Sequence, residues 1–94
     1  MPVMQVTWGR PVAKQLERVP RVILRKFRLW VALVEESGIR EVRKRPGFHD
    51  EPLQGERAGQ RSVRLNRAYR AIYIESQAGA VELLEVIEVH KHDY

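Results

Sequence analysis

The chain ends His90-Lys91-His92-Asp93-Tyr94, and His90 and His92 are two of its three histidines. Each of these five side chains can move a proton, carry charge or stack on a base. An upstream stretch supplies the complement: Arg57, Arg61, Arg64, Arg67 and Arg70, with no acidic residue among them after Glu56. Histidine both takes and gives a proton near neutrality. Arginine presents a planar fork of donors suited to phosphate oxygens. Proton-transfer groups beside an arginine cluster point to chemistry at a phosphodiester.

The residues in this set carry different weight. His90 and His92 are two apart on an expected strand and so share a face. That spacing also suits a metal, but only His49 remains as a further imidazole; neither a metal nor a cofactor is expected. Arg64 and Arg70 are the preferred phosphate binders. Arg64 lies on the polar face of its strand. Arg70 shares a face with Ile72 and Ile74, the face its strand would otherwise bury, so it needs a partner; a salt bridge to Glu85 or Glu88 is the structural alternative. Arg61 and Arg67 read more readily as solvated. Lys44, Arg45 and Lys91 can track an RNA backbone, where each neutralised phosphate adds salt-dependent affinity. Tyr94 can stack on an unpaired base. Phe48 could do the same, but a lone loop aromatic is more often a satellite core contact.

These groups need a scaffold. Residues 3–8 alternate and predict a strand. Gly9-Arg10-Pro11 turns into a short helix carrying Val12, Leu16 and Val19 on one side. Pro20 opens a second helix to Ser37, with Gly38 as its C-terminal cap. Ile23, Phe27, Trp30 and Val34, spaced 4, 3 and 4, form its core stripe. Leu24, Leu29, Val31 and Leu33 make that helix more apolar than a one-sided surface helix needs; either the sheet wraps it or another protein covers it. Residues 39–59 predict a long loop. Three strands follow, at 60–66, 69–76 and 81–90, joined by Asn66-Arg67-Ala68 and Gln77-Ala78-Gly79-Ala80. The expected fold is α+β, one domain over residues 1–94 in the order β-α-α-β-β-β, a helical hairpin packed on a small, mostly antiparallel sheet.

Composition bounds the rest. Ninety-four residues bury one modest core and leave no room for a cofactor domain. The formal charge of +5 is uneven: residues 1–48 hold 11 Lys/Arg against 4 Asp/Glu, and residues 49–94 hold 6 against 8. A basic surface favours nucleic acid or an acidic protein. There is no cysteine, which removes disulfides, thiolate metal sites and a cysteine nucleophile. No apolar run approaches the roughly 20 residues that span a bilayer, and no secretory pattern opens the chain. The expected location is cytoplasmic, with no membrane partner.

The run from Pro46 to Asn66, with Leu53-Gln54-Gly55, Gly59-Gln60 and an arginine strand ending at Asn66, followed by Tyr69-Arg70-Ala71-Ile72-Tyr73, resembles the RelE/ParE toxin superfamily. Within it the chain looks most like the HigB, or plasmid-maintenance killer, branch. The resemblance implies the toxin of a type II toxin–antitoxin system: an mRNA interferase that cuts messenger RNA on the ribosome through the RNA's own 2′-hydroxyl, without metal. It implies a cognate antitoxin, of helix-turn-helix DNA-binding type. By position it implies Arg70 as transition-state stabiliser, Arg64 as phosphate ligand, and His92 with Tyr94 as the catalytic pair. The chain departs from the branch in two places: His49 is displaced from the loop position, and the tail reads His-Asp-Tyr, so His90 or His92 can fill the histidine's role. A ParE-like gyrase poison and a non-catalytic RNA- or protein-binding relative are the alternatives.

Overall fold

The computed structural model describes residues 3–91. Strand β1 (Val3–Trp8) leads into helices α1 (Arg10–Arg18), α2 (Arg21–Ser37) and α3 (Ile39–Arg43). The chain then passes through single 3-10 turns at Pro46–Phe48 and Gly55–Arg57, which flank β2 (Glu51–Pro52). It closes as a meander of β3 (Arg61–Arg64), β4 (Tyr69–Ala78) and β5 (Val81–Lys91). The sheet order is β1-β5-β4-β3-β2. β1 is parallel to β5 and every other pair is antiparallel. This is the expected α+β architecture with one helix and one strand more than the sequence pattern predicts.

The elements form for the reasons their residues supply. Val12 and Leu16 are the buried side of α1, and Ile23, Phe27, Trp30 and Val34 that of α2. Gly38 ends α2 at φ 85°, a left-handed backbone that glycine adopts without penalty, and its N–H donates to the Val34 carbonyl. Trp30 is 0% exposed. Its ring sits 5.5 Å from that of Tyr73 and 6.2 Å from that of Phe27, and Phe27 meets Trp8 edge-on at 5.2 Å. This aromatic row ties β1, α2 and β4 into one core. Glu35 of α2 accepts the Val6 N–H at 3.1 Å, satisfying a backbone donor of edge strand β1.

Two expectations need correction. Residues 39–59 are not a plain loop. Ile39, Val42 and Phe48 are buried, and the intervening charges Arg40, Arg43, Lys44 and Arg45 hide that pattern in the sequence. Phe48 is a core contact with Lys26 Nζ 4.8 Å from its ring centre, not a base-stacking residue. The faces of β4 are also reversed: Ala71 and Tyr73 belong to the core, whereas Ile72 is buried outside that cluster and Arg70 lies beside it.

A bulge explains how β5 serves both faces. Ile72 pairs with Glu88 but Tyr73 pairs with Val86, leaving Ile87 unmatched. Leu84 and Val86 are buried before the bulge and Val89 after it. The shift in parity turns Glu88 and His90 to the sheet face away from the helices. No helix among the described residues is long and apolar enough to cross a membrane.

Candidate active site

Strand register sets out the site. Arg64 pairs with Arg70, and Arg70 with His90, so the three stand in a row across β3, β4 and β5. At usual strand spacing the row spans about 10 Å. A second row beside it reads Glu51, Ser62, Ile72 and Glu88 across β2 to β5. Residues from the two rows, with Leu53 and Arg57 from the turn that folds over them, line a cleft of about 210 Å³: Glu51, Ser62, Arg70, Ile72 and His90. A more apolar hollow of about 260 Å³ lies on the helical side against Trp8, Leu16, Leu24 and Phe27. The ionisable groups lining it are Glu17 and Arg28.

Arg70 is held but not consumed. Its side chain is 12% exposed. Nη1 donates to Ser62 Oγ at 3.0 Å and lies 3.6 Å from Glu51 Oε1. The structural alternative, a bridge to Glu85 or Glu88, is not formed among the described residues; Glu88 instead accepts Arg57 Nη2 at 2.6 Å. Arg64 stands directly opposite Arg70, a like-charge pairing that costs stability. Its Nε is buried and has no hydrogen-bond partner among the described residues. Of this facing pair, Arg70 lines the cleft.

His90 is positioned from behind. β1 pairs with β5 only as far as Val86. Beyond it, the Val89 N–H is taken by Gln15 Oε1 of α1 at 2.8 Å, which holds the end of the strand. The His90 Nδ1 lies 2.9 Å from the Lys91 carbonyl oxygen. Lys91 is exposed, as are Arg45 and Arg67. Lys44 makes an exposed pair with Glu41 at 3.3 Å. These lie at the surface rather than in the cleft. His92, Asp93 and Tyr94 lie outside the described residues.

The RelE/ParE-like solved structures bear on this geometry. Neither a protein-family model nor a curated protein matches the chain. Among solved structures, the chain is similar to a YoeB/ParE toxin from Agrobacterium tumefaciens, at 26% identity over 96% of this chain and 100% of that one, with a TM-score of 0.66. It is also similar to the archaeal RelE–RelB complex from Pyrococcus horikoshii OT3, at 22% identity over 97% and 96% with a TM-score of 0.69. The DinJ–YafQ toxin-antitoxin complex of E. coli matches at 17% identity over 95% and 92%, with a TM-score of 0.68. The chain has the RelE/ParE toxin-superfamily fold.

In this RelE/ParE fold one carboxylate anchors the cleft wall. Asp50, with its side chain 1% exposed, precedes β2. It accepts Arg61 Nε at 2.6 Å and the Tyr73 hydroxyl, and faces Arg43 Nε at 3.6 Å. Arg43 Nη2 also donates to the Tyr73 oxygen at 3.1 Å and pairs with Glu75. Arg61, expected in solvent, is therefore a structural arginine. Burial pushes the Tyr73 phenol well above its ordinary range, and the hydrogen bond to Asp50 adds to this while Arg43 opposes it. In the sequence Glu51 and Ser62 carry no expected role, Arg57 is named only within the arginine cluster, and Glu88 only as a salt-bridge partner for Arg70. They meet across strand pairs or across 31 residues of chain, as Arg57 and Glu88 do, and no local spacing encodes that.

Asp50→Ala should destabilise the protein by about 3–5 kcal/mol, because it leaves the partly buried Arg61 and the Tyr73 phenol without their acceptor; urea unfolding measures it. The Tyr73 shift adds a pH signature. A pKa raised on folding favours the protonated folded state, so its contribution is full below about pH 10, the free-phenol value, and is lost as pH rises through the folded value. Ultraviolet titration should show a late phenolate component that is absent in Tyr73→Phe. A Tyr73→Phe curve identical to that of the parent would refute the buried phenol.

Proposed function

We propose that this chain is the toxin of a type II toxin–antitoxin system and that it cleaves messenger RNA on the ribosome by attack of the RNA's 2′-hydroxyl. The observation that carries the reading is the row Arg64–Arg70–His90, of which Arg70 and His90 line the cleft together with Glu51. In-line attack needs a base at the 2′-oxygen, an acid at the 5′-oxygen on the far side of phosphorus, and positive charge where the phosphorane develops. Arg70, with Arg64, supplies the charge. Glu51 lies two strands to one side of Arg70 and His90 one strand to the other, which suits an acid and a base acting across one phosphate. This chemistry asks nothing of a metal. His92 and Tyr94 join the site on the strength of the family resemblance, as a tail residue sharing the His90 face and a base-stacking end. The HigB branch rests on the Leu53-Gln54-Gly55 loop and the Tyr69-Arg70 strand.

A cognate antitoxin is the second partner. The RelE–RelB and DinJ–YafQ structures each hold a toxin with its antitoxin. Here Arg10, Lys14, Arg18, Arg21, Arg25, Lys26 and Arg28 face only Glu17 along α1 and the first half of α2. Val22 and Leu29, 59% and 50% exposed, lie among them. That surface suits an acidic segment with apolar anchors. Association with such a partner should slow as salt is raised, because charge steering dominates its on-rate; a rate indifferent to ionic strength would count against this surface.

Cleavage in a translation system should persist in chelator and leave 2′,3′-cyclic phosphate or 3′-phosphate ends. Arg70→Ala should lower the rate by roughly 10²–10³, and His90→Ala by roughly 10²–10⁴. Chelator-sensitive cleavage with 3′-hydroxyl ends would defeat the mechanism. A greater loss in His92→Ala than in His90→Ala would move the acid–base role to the tail.

A further inference from the structure

Glu88 has no role in the mechanism above, yet it lies between the two strongest features of the cleft wall. One of its oxygens, Oε2, is fixed by Arg57 Nη2 at 2.6 Å, and Arg57 is itself fixed through Nε to Gln60 Oε1 at 2.7 Å. The other oxygen, Oε1, lies 4.0 Å from His90 Nε2. The opposite ring nitrogen, Nδ1, is 2.9 Å from the Lys91 carbonyl. A carbonyl only accepts, so Nδ1 carries the hydrogen and Nε2 is the nitrogen that exchanges protons. Nδ1 thus has a hydrogen-bond acceptor, while Nε2 faces the Glu88 carboxylate at an ion-pair separation that leaves it open to the cleft. Among the described residues, the other ionisable groups around it are Arg70 of β4, Arg57 of the covering turn, Glu51 of β2 and Lys91 of its own strand. Glu51 faces Arg70 and Glu88 pairs with Arg57, so Glu88 is the carboxylate nearest the ring.

We propose that Glu88 is a positioning residue for His90. Anchored by Arg57, it orients the ring through Nε2 and stabilises the positive charge present while that nitrogen holds a proton for the reacting RNA. No new bond or reactant is involved. The proton that leaves Nε2 for the 5′-oxygen, or that reaches it from the 2′-oxygen, is the one the cleavage already requires. The chain Gln60–Arg57–Glu88–His90 also makes the 3-10 turn Gly55–Arg57 part of the site, since its packing sets the position of the carboxylate.

The inference rests on the nuclease reading, and its test separates the two. Nitrogen-15 spectra of the imidazoles, with His90→Gln to assign the signal, should show Nδ1 of His90 protonated. In single-turnover cleavage Glu88→Gln should lose about 10–100-fold, the scale for carboxylates that orient an imidazole. Affinity for a non-cleavable 2′-deoxy oligonucleotide should not change, and Glu88→Asp should recover part of the loss. Glu88→Gln combined with His90→Gln should be no slower than His90→Gln alone. Losses that multiply, or equal weakening of oligonucleotide binding in Glu88→Gln, would overturn the proposal. If Glu88→Gln does not fold, the parent spectrum still decides, because a ring protonated at Nε2 alone contradicts it. If the parent leaves RNA intact, the nuclease reading fails while the ring spectra still judge Glu88.

Discussion

The buried carboxylate of Asp50 is the constraint on which the cleft depends. Taking that charge out of water is tolerable only because Arg61, the Tyr73 hydroxyl and Arg43 surround it. With Glu75 completing the group, two arginines balance two carboxylates. The network ties three separate pieces of chain together: the end of α3, the residue before β2, and the adjacent strands β3 and β4. It matters for function because strand residues alternate sides. With Asp50 held inward, its neighbour Glu51 stands on the outer face beside Arg70. A two-residue edge strand with an exposed proline would have little reason to keep its register without that anchor.

The sheet therefore divides labour by face. The helical face carries Val63, Ala71, Tyr73, Leu84, Val86 and Val89 against the aromatic stripe of α2, and supplies the stability. The outer face carries Arg64, Arg70, Glu88 and His90, with Arg64 directly opposite Arg70 and Glu88 beside His90. The opposition of Arg64 and Arg70 is a local cost. Arg57 is spent on Glu88 and Arg61 on Asp50, which removes both from the candidates for the cleft's phosphate binder. Arg67 is exposed on the turn between β3 and β4. The bulge at Ile87 lets β5 join the two faces, and Gln15 of α1 fixes the strand end where they meet.

How much of this was legible follows from the range of each signal. Helices α1 and α2 and strands β1, β4 and β5 could be read because their apolar periodicity repeats several times within one element. Gly38 and Pro20 mark helix ends by backbone chemistry alone. Helix α3 and strand β2 escaped notice because they are too short for a period and are crowded by charge. The inward face of β4 was misread because Ile72 and Ile74 look like core and Ala71 does not; burial of Ile72 on the outer face comes from the turn around Leu53, a contact invisible in local pattern. Of the residues in the proposed site, Arg64, Arg70 and His90 were picked out by type and spacing, as were His92 and Tyr94, which lie outside the described residues. Asp50, Glu51 and Glu88 were not, since acidic residues scattered over 38 positions acquire meaning only when strand register brings them beside particular arginines.

The most direct test of the account is to induce the chain alone in bacterial cells and map transcript 5′ ends beside the Arg70→Ala variant. If the outer face of the sheet is a phosphodiester-cleaving site, growth stops with translation and new 5′ ends accumulate inside coding regions. Arg70→Ala protein, present at equal level, should produce few of them. Growth arrest with intact transcripts and broken DNA would contradict the account and assign the fold here to gyrase poisoning.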